Sequence, residues 1–222
     1  MASPSPCTQT PLLLLLLLLL CLSVSAPFHL LVAADSSPDA VRDIDGQKLR
    51  AGTQYYILPV FRGKGGGVTL GPRNATFSNC PLDVVQDRSE VSKGHPVTFT
   101  PVDPKKGFIR LSTDLNVEFS PVETICAQYY STVWRLDKHD GRYLISTGGV
   151  GRETLSNSFK IKKQDDDYKL FYCPTVCNYY ARCKNKGKVI CKDVGIYIDR
   201  YGTRHLALSD KPFRVMFKKA AA

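Results

Sequence analysis

The chain has 222 residues, with 30 lysines and arginines against 20 aspartates and glutamates, so its formal net charge is +10. This length accommodates one large domain or two small ones. The positive charge favours acidic partners, but the basic residues are scattered and form no nucleic-acid-binding motif. A solvated basic surface is therefore the preferred interpretation, and no nucleic-acid partner is predicted.

The first 34 residues contain no lysine, arginine, aspartate or glutamate, and Leu12 to Leu20 form an unbroken leucine run. Small residues follow this run, a pattern typical of a secretory signal peptide. Cleavage is predicted after Ala34, with a site after Ala26 as the alternative. A membrane anchor is the competing interpretation, but no basic stop-transfer cluster follows. We predict a signal peptide over 1–34, one mature domain over 35–222, and no membrane association of the mature form.

Short apolar runs with the period of β-strands follow along the mature chain. The segments "LNVEF" (Leu115 to Phe119) and "FRVMF" (Phe213 to Phe217) place apolar residues at alternate positions, as half-buried strands do. Similar runs are "YYILPVF", "VTFTPV", "YLIST", "YKLFY" and "GIYI". Turn-forming residues separate them about every ten positions, a spacing typical of a sandwich or barrel. An all-β domain with no helical period is predicted.

One pattern of a strand, an aspartate, a glycine-containing turn and a second strand occurs three times, in residues 41–49, 134–144 and 196–206. Its glycines, Gly46, Gly141 and Gly202, can supply the positive φ that tight hairpin turns need. Their spacing is uneven, so the pattern is not a regular repeat. It indicates an architecture built from similar hairpins. The single tryptophan, Trp134, lies at the start of the second segment and is predicted to be a core residue.

Six cysteines remain after removal of the leader: Cys80, Cys126, Cys173, Cys177, Cys183 and Cys191. An even number in a secreted chain predicts disulfides. The pair Cys173 and Cys177 could supply half of a zinc site. The spacing from Cys183 to Cys191 is too wide for a usual zinc knuckle, so no metal is predicted.

The spacing of the last four cysteines favours two nested bridges. Opposed residues of one antiparallel hairpin have a nearly constant sum of positions. Pairing Cys173 with Cys191 and Cys177 with Cys183 satisfies this better than the crossed alternative, Cys173 with Cys183 and Cys177 with Cys191. Cys80 and Cys126 are then left to pair with each other.

A sequon, "NAT", begins at Asn74. The glycine and proline just before it indicate an exposed turn, so Asn74 is predicted to carry a glycan. Enzyme chemistry is not predicted. The histidines of the mature chain have no serine or cysteine nucleophile motif near them, and the run Asp165 to Asp167 is interpreted as a solvated loop. No catalytic residue and no cofactor are predicted.

Several motifs together resemble the soybean-type Kunitz trypsin inhibitor family of plants, and within it the miraculin-like proteins. They are "VRDIDGQKLRAGTQYYILPV", "CPLDVVQ", "STVWRLD", "YKLFYCPTVC" and "KDVGIYID" with "RHLALSDKPFRVMF". The resemblance runs from Asp35 to Lys219. It implies a β-trefoil of twelve strands with three-fold pseudo-symmetry, six strands closing a barrel and six capping it. It also implies the Cys80–Cys126 bridge and the nested bridges of the miraculin branch.

The resemblance further implies a secreted, monomeric inhibitor of trypsin-like serine endopeptidases with a role in defence. Delivery is expected to the apoplast, with the vacuole as the alternative. The implied reactive loop consists of Asp103, Pro104, Lys105, Lys106 and Gly107. Lys105 falls at the specificity position, or Lys106 if an inferred one-residue insertion lies elsewhere. Proline would stiffen this loop. The competing interpretation is an ordinary polar turn, which has the same residue types.

Two positions weaken the expectation of trypsin inhibition. Inhibitory members of the family support the loop with an asparagine at the position where this chain has Ala51, which offers no side-chain donor. Gly107 is expected to loosen the loop backbone. The alternatives are therefore a non-inhibitory miraculin-like binding, storage or defence protein, or an inhibitor of cysteine or aspartic proteases.

Overall fold

Antiparallel strands form the regular framework of the protein. The computed structural model describes residues 38–73, 80–103, 107–122, 124, 126, 128–150, 154–175 and 190–221. Within these residues there are twelve strands: β1 Gln54–Pro59, β2 Val68–Gly71, β3 Asp83–Gln86, β4 Val97–Pro101, β5 Leu115–Phe119, β6 Arg135–His139, β7 Arg142–Ser146, β8 Lys160–Gln164, β9 Asp167–Tyr172, β10 Lys192–Ile198, β11 Arg204–Ser209 and β12 Arg214–Lys219. A single turn of 3₁₀ helix, Leu155–Asn157, precedes β8. The all-β prediction is confirmed.

Six of the strands close into a ring. β1 pairs with β4, β4 with β5, β8 with β9, β9 with β12, and β12 with β1. An antiparallel bridge from Leu115 of β5 to Phe159, just before β8, completes the circuit. The first and last of the described strands are thus neighbours. Among the described residues, closure of the ring joins the strands that would otherwise be free sheet edges.

The other six strands form three hairpins that cap the barrel: β2–β3, β6–β7 and β10–β11. The second strands of these hairpins also pair among themselves, β3 with β7, β3 with β11, and β7 with β11. Three equivalent strands that pair mutually mark a pseudo-three-fold axis. The fold is the β-trefoil that the resemblance implied.

Large apolar side chains pack into one core cluster. Trp134 is fully buried, and its indole lies 5.5 Å from the ring of Phe119 and 6.3 Å, edge-on, from the ring of Phe159. Phe99 of β4 and Phe217 of β12 meet edge to face at 5.5 Å. Edge-to-face and tilted contacts of this kind add to the stabilisation that burial alone provides. The predicted core position of Trp134 is confirmed.

Two of the three aspartate–glycine turns have the same hydrogen bonds. In the first, Oδ1 of Asp43 accepts from the backbone amides of residues 45 and 47, at 3.1 and 2.8 Å. In the turn of β10–β11, Oδ1 of Asp199 accepts from the amides of residues 201 and 203, at 2.9 and 2.7 Å. Gly46 and Gly202 have φ values of 76° and 77° there. The third turn is tighter, with Asp140 and Gly141 both at positive φ, as a two-residue hairpin requires.

Two disulfides join described cysteines. Cys80 and Cys126 are 46 residues apart in sequence and bridge with a Cα–Cα distance of 5.5 Å. Cys173 and Cys191 bridge at 4.3 Å across 18 residues. The predicted partners Cys177 and Cys183 lie outside the described residues, as does the sequon residue Asn74. No helix in the described part of the chain is long and apolar enough to cross a membrane.

Three strands lie where the sequence pattern gave no strand prediction: β2, β3 and β8. The basic run "KIKK", one part of the basic surface that the sequence predicts to be solvated, forms most of β8. Its first residue, Lys160, is buried, and its Nζ lies 3.2 Å from Oδ1 of Asp114. The interpretation of Asp165 to Asp167 as simply solvated was also incomplete, because Asp165 and Asp167 both pair with Arg214.

Candidate functional site

The predicted reactive loop lies in the connection between β4 and β5. These strands pair in register from Val97 opposite Phe119 to Pro101 opposite Leu115. Beyond them the amide of Val102 donates to the carbonyl of Asp114 at 3.0 Å. Asp103 and Gly107 are described and exposed, whereas residues 104–106, which include both candidate lysines, lie outside the described residues. The two ends of the candidate loop are therefore defined.

An N-terminal segment runs along the outgoing arm of this loop. The amide of Ala51 donates to the carbonyl of Gly107 at 3.0 Å, and the amide of Ile109 donates to the carbonyl of Leu49 at 2.9 Å. Arg50 and Phe108 form an antiparallel bridge between these bonds. Further along the arm, the amide of Val41 donates to the carbonyl of Ile109 at 2.9 Å. Backbone hydrogen bonds from two N-terminal segments thus hold the arm.

Ala51 and Gly107 meet through their backbones rather than through side chains. Gly107 has φ 62°, and a Cβ built on it would meet no atom within 4 Å. Glycine is favoured there by backbone conformation and not by crowding. This glycine is expected from the sequence to loosen the loop, yet its carbonyl accepts a hydrogen bond from Ala51. The support at Ala51 is confined to its amide, because an alanine side chain offers no donor.

Basic side chains surround the first aromatic residue after the loop. Nζ of Lys48 lies 5.4 Å from the centre of the Phe108 ring, and the guanidinium carbon of Arg50 lies 5.3 Å from it. Contacts at such distances are weakly attractive at exposed sites. No sequence pattern singles out these three residues. The available signal is that Lys48 and Arg50 lie within three residues before Ala51.

The histidines in the described part of the chain make contacts within the fold. Nδ1 of His95 lies 2.6 Å from the hydroxyl of Thr69, and His139 lies 3.4 Å from the carboxylate of its neighbour Asp140. No group of three metal-ligating side chains is present in the described part of the chain.

His205 differs from the other two described histidines, because it is buried between two carboxylates. It is 2% exposed and lies between Asp83 and Asp199, with a nitrogen–oxygen distance of 3.2 Å to each. Asp83 is fully buried and also accepts from Nε of Arg73 at 3.0 Å. Burial opposes the charged imidazolium, but the two carboxylates outweigh it and raise the pKa of His205 above its usual value. We call Arg73, Asp83, Asp199 and His205 the Asp83 cluster.

Comparison with known proteins gives the family. Residues 41–219 match the Kunitz legume family, described as trypsin and protease inhibitor. The chain belongs to this family. Its members are protease inhibitors rather than enzymes, and their structures are β-trefoils. The resemblance stated from the sequence motifs is confirmed.

Among its relatives, miraculin from Synsepalum dulcificum is 51% identical over 209 residues, covering 89% of this chain and 91% of that protein. Kunitz trypsin inhibitor 5 from Arabidopsis thaliana is 45% identical over 199 residues, covering 86% and 91%. The solved structure of a bifunctional alpha-amylase/subtilisin inhibitor from Oryza sativa matches with a TM-score of 0.65 at 36% identity, covering 83% of this chain and all of that one. The names of the last two relatives therefore give different targets.

Proposed function

We propose that the mature protein inhibits trypsin-like serine endopeptidases through the loop from Asp103 to Gly107, with Lys105 as the specificity residue. The observation that carries this proposal is the support of the outgoing arm, in which Ala51 and Leu49 bond the backbone on either side of Phe108. Family membership and the name of the Arabidopsis relative support the same class of target.

The proposed mechanism is substrate imitation. A loop held in the extended shape that a protease expects loses little conformational entropy on binding. The Lys105 ammonium would enter the specificity pocket and meet the aspartate at its base, which selects lysine and arginine in trypsin-like enzymes. Such a pair forms charge-assisted hydrogen bonds away from water. Paired strands at the loop base and the bonds to residues 49–51 limit movement of the loop ends.

Replacing Lys105 with alanine is expected to weaken trypsin binding by about 2–5 kcal/mol, because the aspartate of the specificity pocket is left without a cation. Lys106→Ala is the matched control and should change the inhibition constant little. In the same series Ala51→Asn should tighten binding modestly, since the side chain adds a donor beside Gly107. Inhibition constants against trypsin measure all three effects.

The outcomes of this series separate the hypotheses. A large effect of Lys106→Ala with none of Lys105→Ala would move the specificity residue by one position. If neither substitution changed inhibition, this loop would not be the binding site.

The alternative function is a non-inhibitory miraculin-like protein or an inhibitor of another protease class. The observation that favours it is the absence of a side-chain donor at Ala51, which leaves one loop support to the backbone alone. A panel of purified serine, cysteine and aspartic proteases would distinguish these functions. Absence of serine protease inhibition by the wild-type protein would favour the alternative.

We also propose that the chain is exported and acts outside the cell or in the vacuole, with Asn74 glycosylated. The charge-free leader and its leucine run support export. The mature protein is expected to begin near Asp35 and to lose mass on enzymatic deglycosylation. Terminal sequencing and mass spectrometry measure both. Retention of Leu12 to Leu20 in the mature chain would contradict the export proposal.

A further inference from the structure

A basic cleft of about 650 Å³ lies beside the candidate loop. It is bounded by the Asp43 turn, by residues 48–55 and by the ring of Phe108. Four exposed basic side chains line it: Arg42, Lys48, Arg50 and Lys219. We call this feature the basic cleft.

The positive charge of the basic cleft is not balanced from within the described chain. Its one lining carboxylate, Asp43, is 8% exposed and uses Oδ1 to accept two amides of its own turn. None of the four cations forms an ion pair with a carboxylate among the described residues. Arg42 donates to the carbonyl of Gly46 at 2.7 Å, and the side chains of Lys48 and Arg50 lie against the Phe108 ring. Such an uncompensated cluster attracts anionic groups.

The position of the basic cleft beside the loop indicates which part of a bound protease would contact it. Phe108 follows Gly107 directly, and Arg50 bridges Phe108 while Ala51 bonds Gly107. If Lys105 occupies the specificity pocket, then residues 106–108 lie on the side of the protease that binds the residues following the scissile bond. A protease that accepts the loop would therefore bring that rim of its active site against Lys48 and Arg50.

We propose that the basic cleft is a second contact surface for the target endopeptidase and selects enzymes with an acidic rim on that side of the active site. This inference rests on the proposed inhibitory function and adds the charge of the partner surface to it. Exposed ion pairs contribute little to equilibrium affinity one by one. Several like charges beside the primary contact accelerate association instead, and salt screens that acceleration.

The test compares two double charge reversals of equal size. Lys48→Glu with Arg50→Glu alters the basic cleft, and Lys138→Glu with Arg200→Glu alters two exposed cations of the β6–β7 and β10–β11 hairpins. Association and dissociation rate constants would be measured with a trypsin-like protease that has an acidic rim and with one that has a basic rim. Salt would be varied from about 0.05 M to about 0.5 M.

For the acidic-rim protease, the cleft variant should associate about tenfold more slowly at low salt, with the difference shrinking at high salt. The control variant should change the rate constant much less. For the basic-rim protease, the cleft variant should associate faster than wild type. Neutral replacements, Lys48→Gln with Arg50→Gln, should give intermediate rates.

Equal slowing by the two double variants would overturn the proposal, because net charge alone would then explain the effect. A salt-independent change confined to dissociation would also overturn it, since that result would indicate altered loop positioning. The Lys105→Ala variant distinguishes failure of the cleft proposal from failure of the proposed inhibitory function. If Lys105→Ala weakens inhibition while the cleft variant behaves like its control, only the cleft proposal fails. If wild type inhibits neither protease, the proposed function fails and the cleft proposal fails with it.

Discussion

Replacing Trp134 with alanine is expected to lower the free energy of unfolding by about 3–5 kcal/mol. The indole is fully buried and packs against Phe119 and Phe159. Its removal would therefore leave a cavity between β5 and the segment that enters β8. Domains of this kind have total stabilities of about 5–15 kcal/mol, so the loss is a large share of the whole. Denaturant unfolding followed by far-ultraviolet circular dichroism measures it.

Two further variants define the cause of this loss. Nε1 of Trp134 is buried and has no hydrogen-bond partner among the described residues. Trp134→Phe removes that unpaired donor together with part of the ring, so it should cost clearly less than the alanine replacement. Val91→Ala is the control, because Val91 is 93% exposed and should change stability by less than about 0.5 kcal/mol. An equal loss for Trp134→Phe and Trp134→Ala would contradict the cavity explanation.

Replacing Asp83 with alanine is expected to destabilise the protein by about 3–5 kcal/mol, because a buried ion pair loses one partner. Arg73 and His205 would both lose their contact with the Asp83 carboxylate. The control is Asp210→Ala, since Asp210 pairs with Lys192 at 3.2 Å but is 90% exposed. Pairs as exposed as this contribute about 0–1 kcal/mol. Denaturant unfolding of the three proteins at one pH gives the comparison.

The Asp83 effect should also depend on pH. The pKa of His205 is raised in the folded protein. Its contribution to stability is therefore fully present below its unfolded pKa, about 6.5, and is lost as the pH rises through the folded value. Asp83→Ala removes part of that contribution, so the stability loss should be larger at about pH 5.5 than at about pH 8.5. A loss that is identical at the two pH values would show that the charge of His205 does not contribute to the effect.

Strand prediction succeeded where local pattern and burial agree. β5 has the predicted bounds, Leu115 to Phe119, because its apolar residues alternate and turn residues flank it. β3 was not predicted, since all four of its residues are buried and it has no alternation to detect. β8 begins with a buried lysine that pairs with Asp114. That pairing depends on a residue 46 positions earlier, which no local pattern contains.

The candidate site was also predicted only in part. The family resemblance gave the position of the loop. The residue type, lysine, then gave the expected match to a trypsin-like specificity pocket. The support by residues 49–51 could not be read from the sequence, because it consists of backbone bonds across nearly sixty positions. Side chains carry the sequence signal, and these bonds use none. The contact of His205 with Asp83 was also missed, although it uses side chains, because Asp83 reaches His205 only when β3 pairs with β11.

The pairing of β1 with β12 has a consequence for how the protein is made. Five residue pairs, from Tyr55 opposite Lys219 to Pro59 opposite Val215, join the first strand to the last. The amide of Ile44, next to the segment that supports the loop, also donates to the carbonyl of Phe217 at 2.9 Å. Contacts this distant in sequence form late and slow the folding of β proteins. A nascent chain that has not yet emerged as far as Arg214–Lys219 lacks this closing strand, so the ring of six strands cannot close until that segment is free to pair with β1.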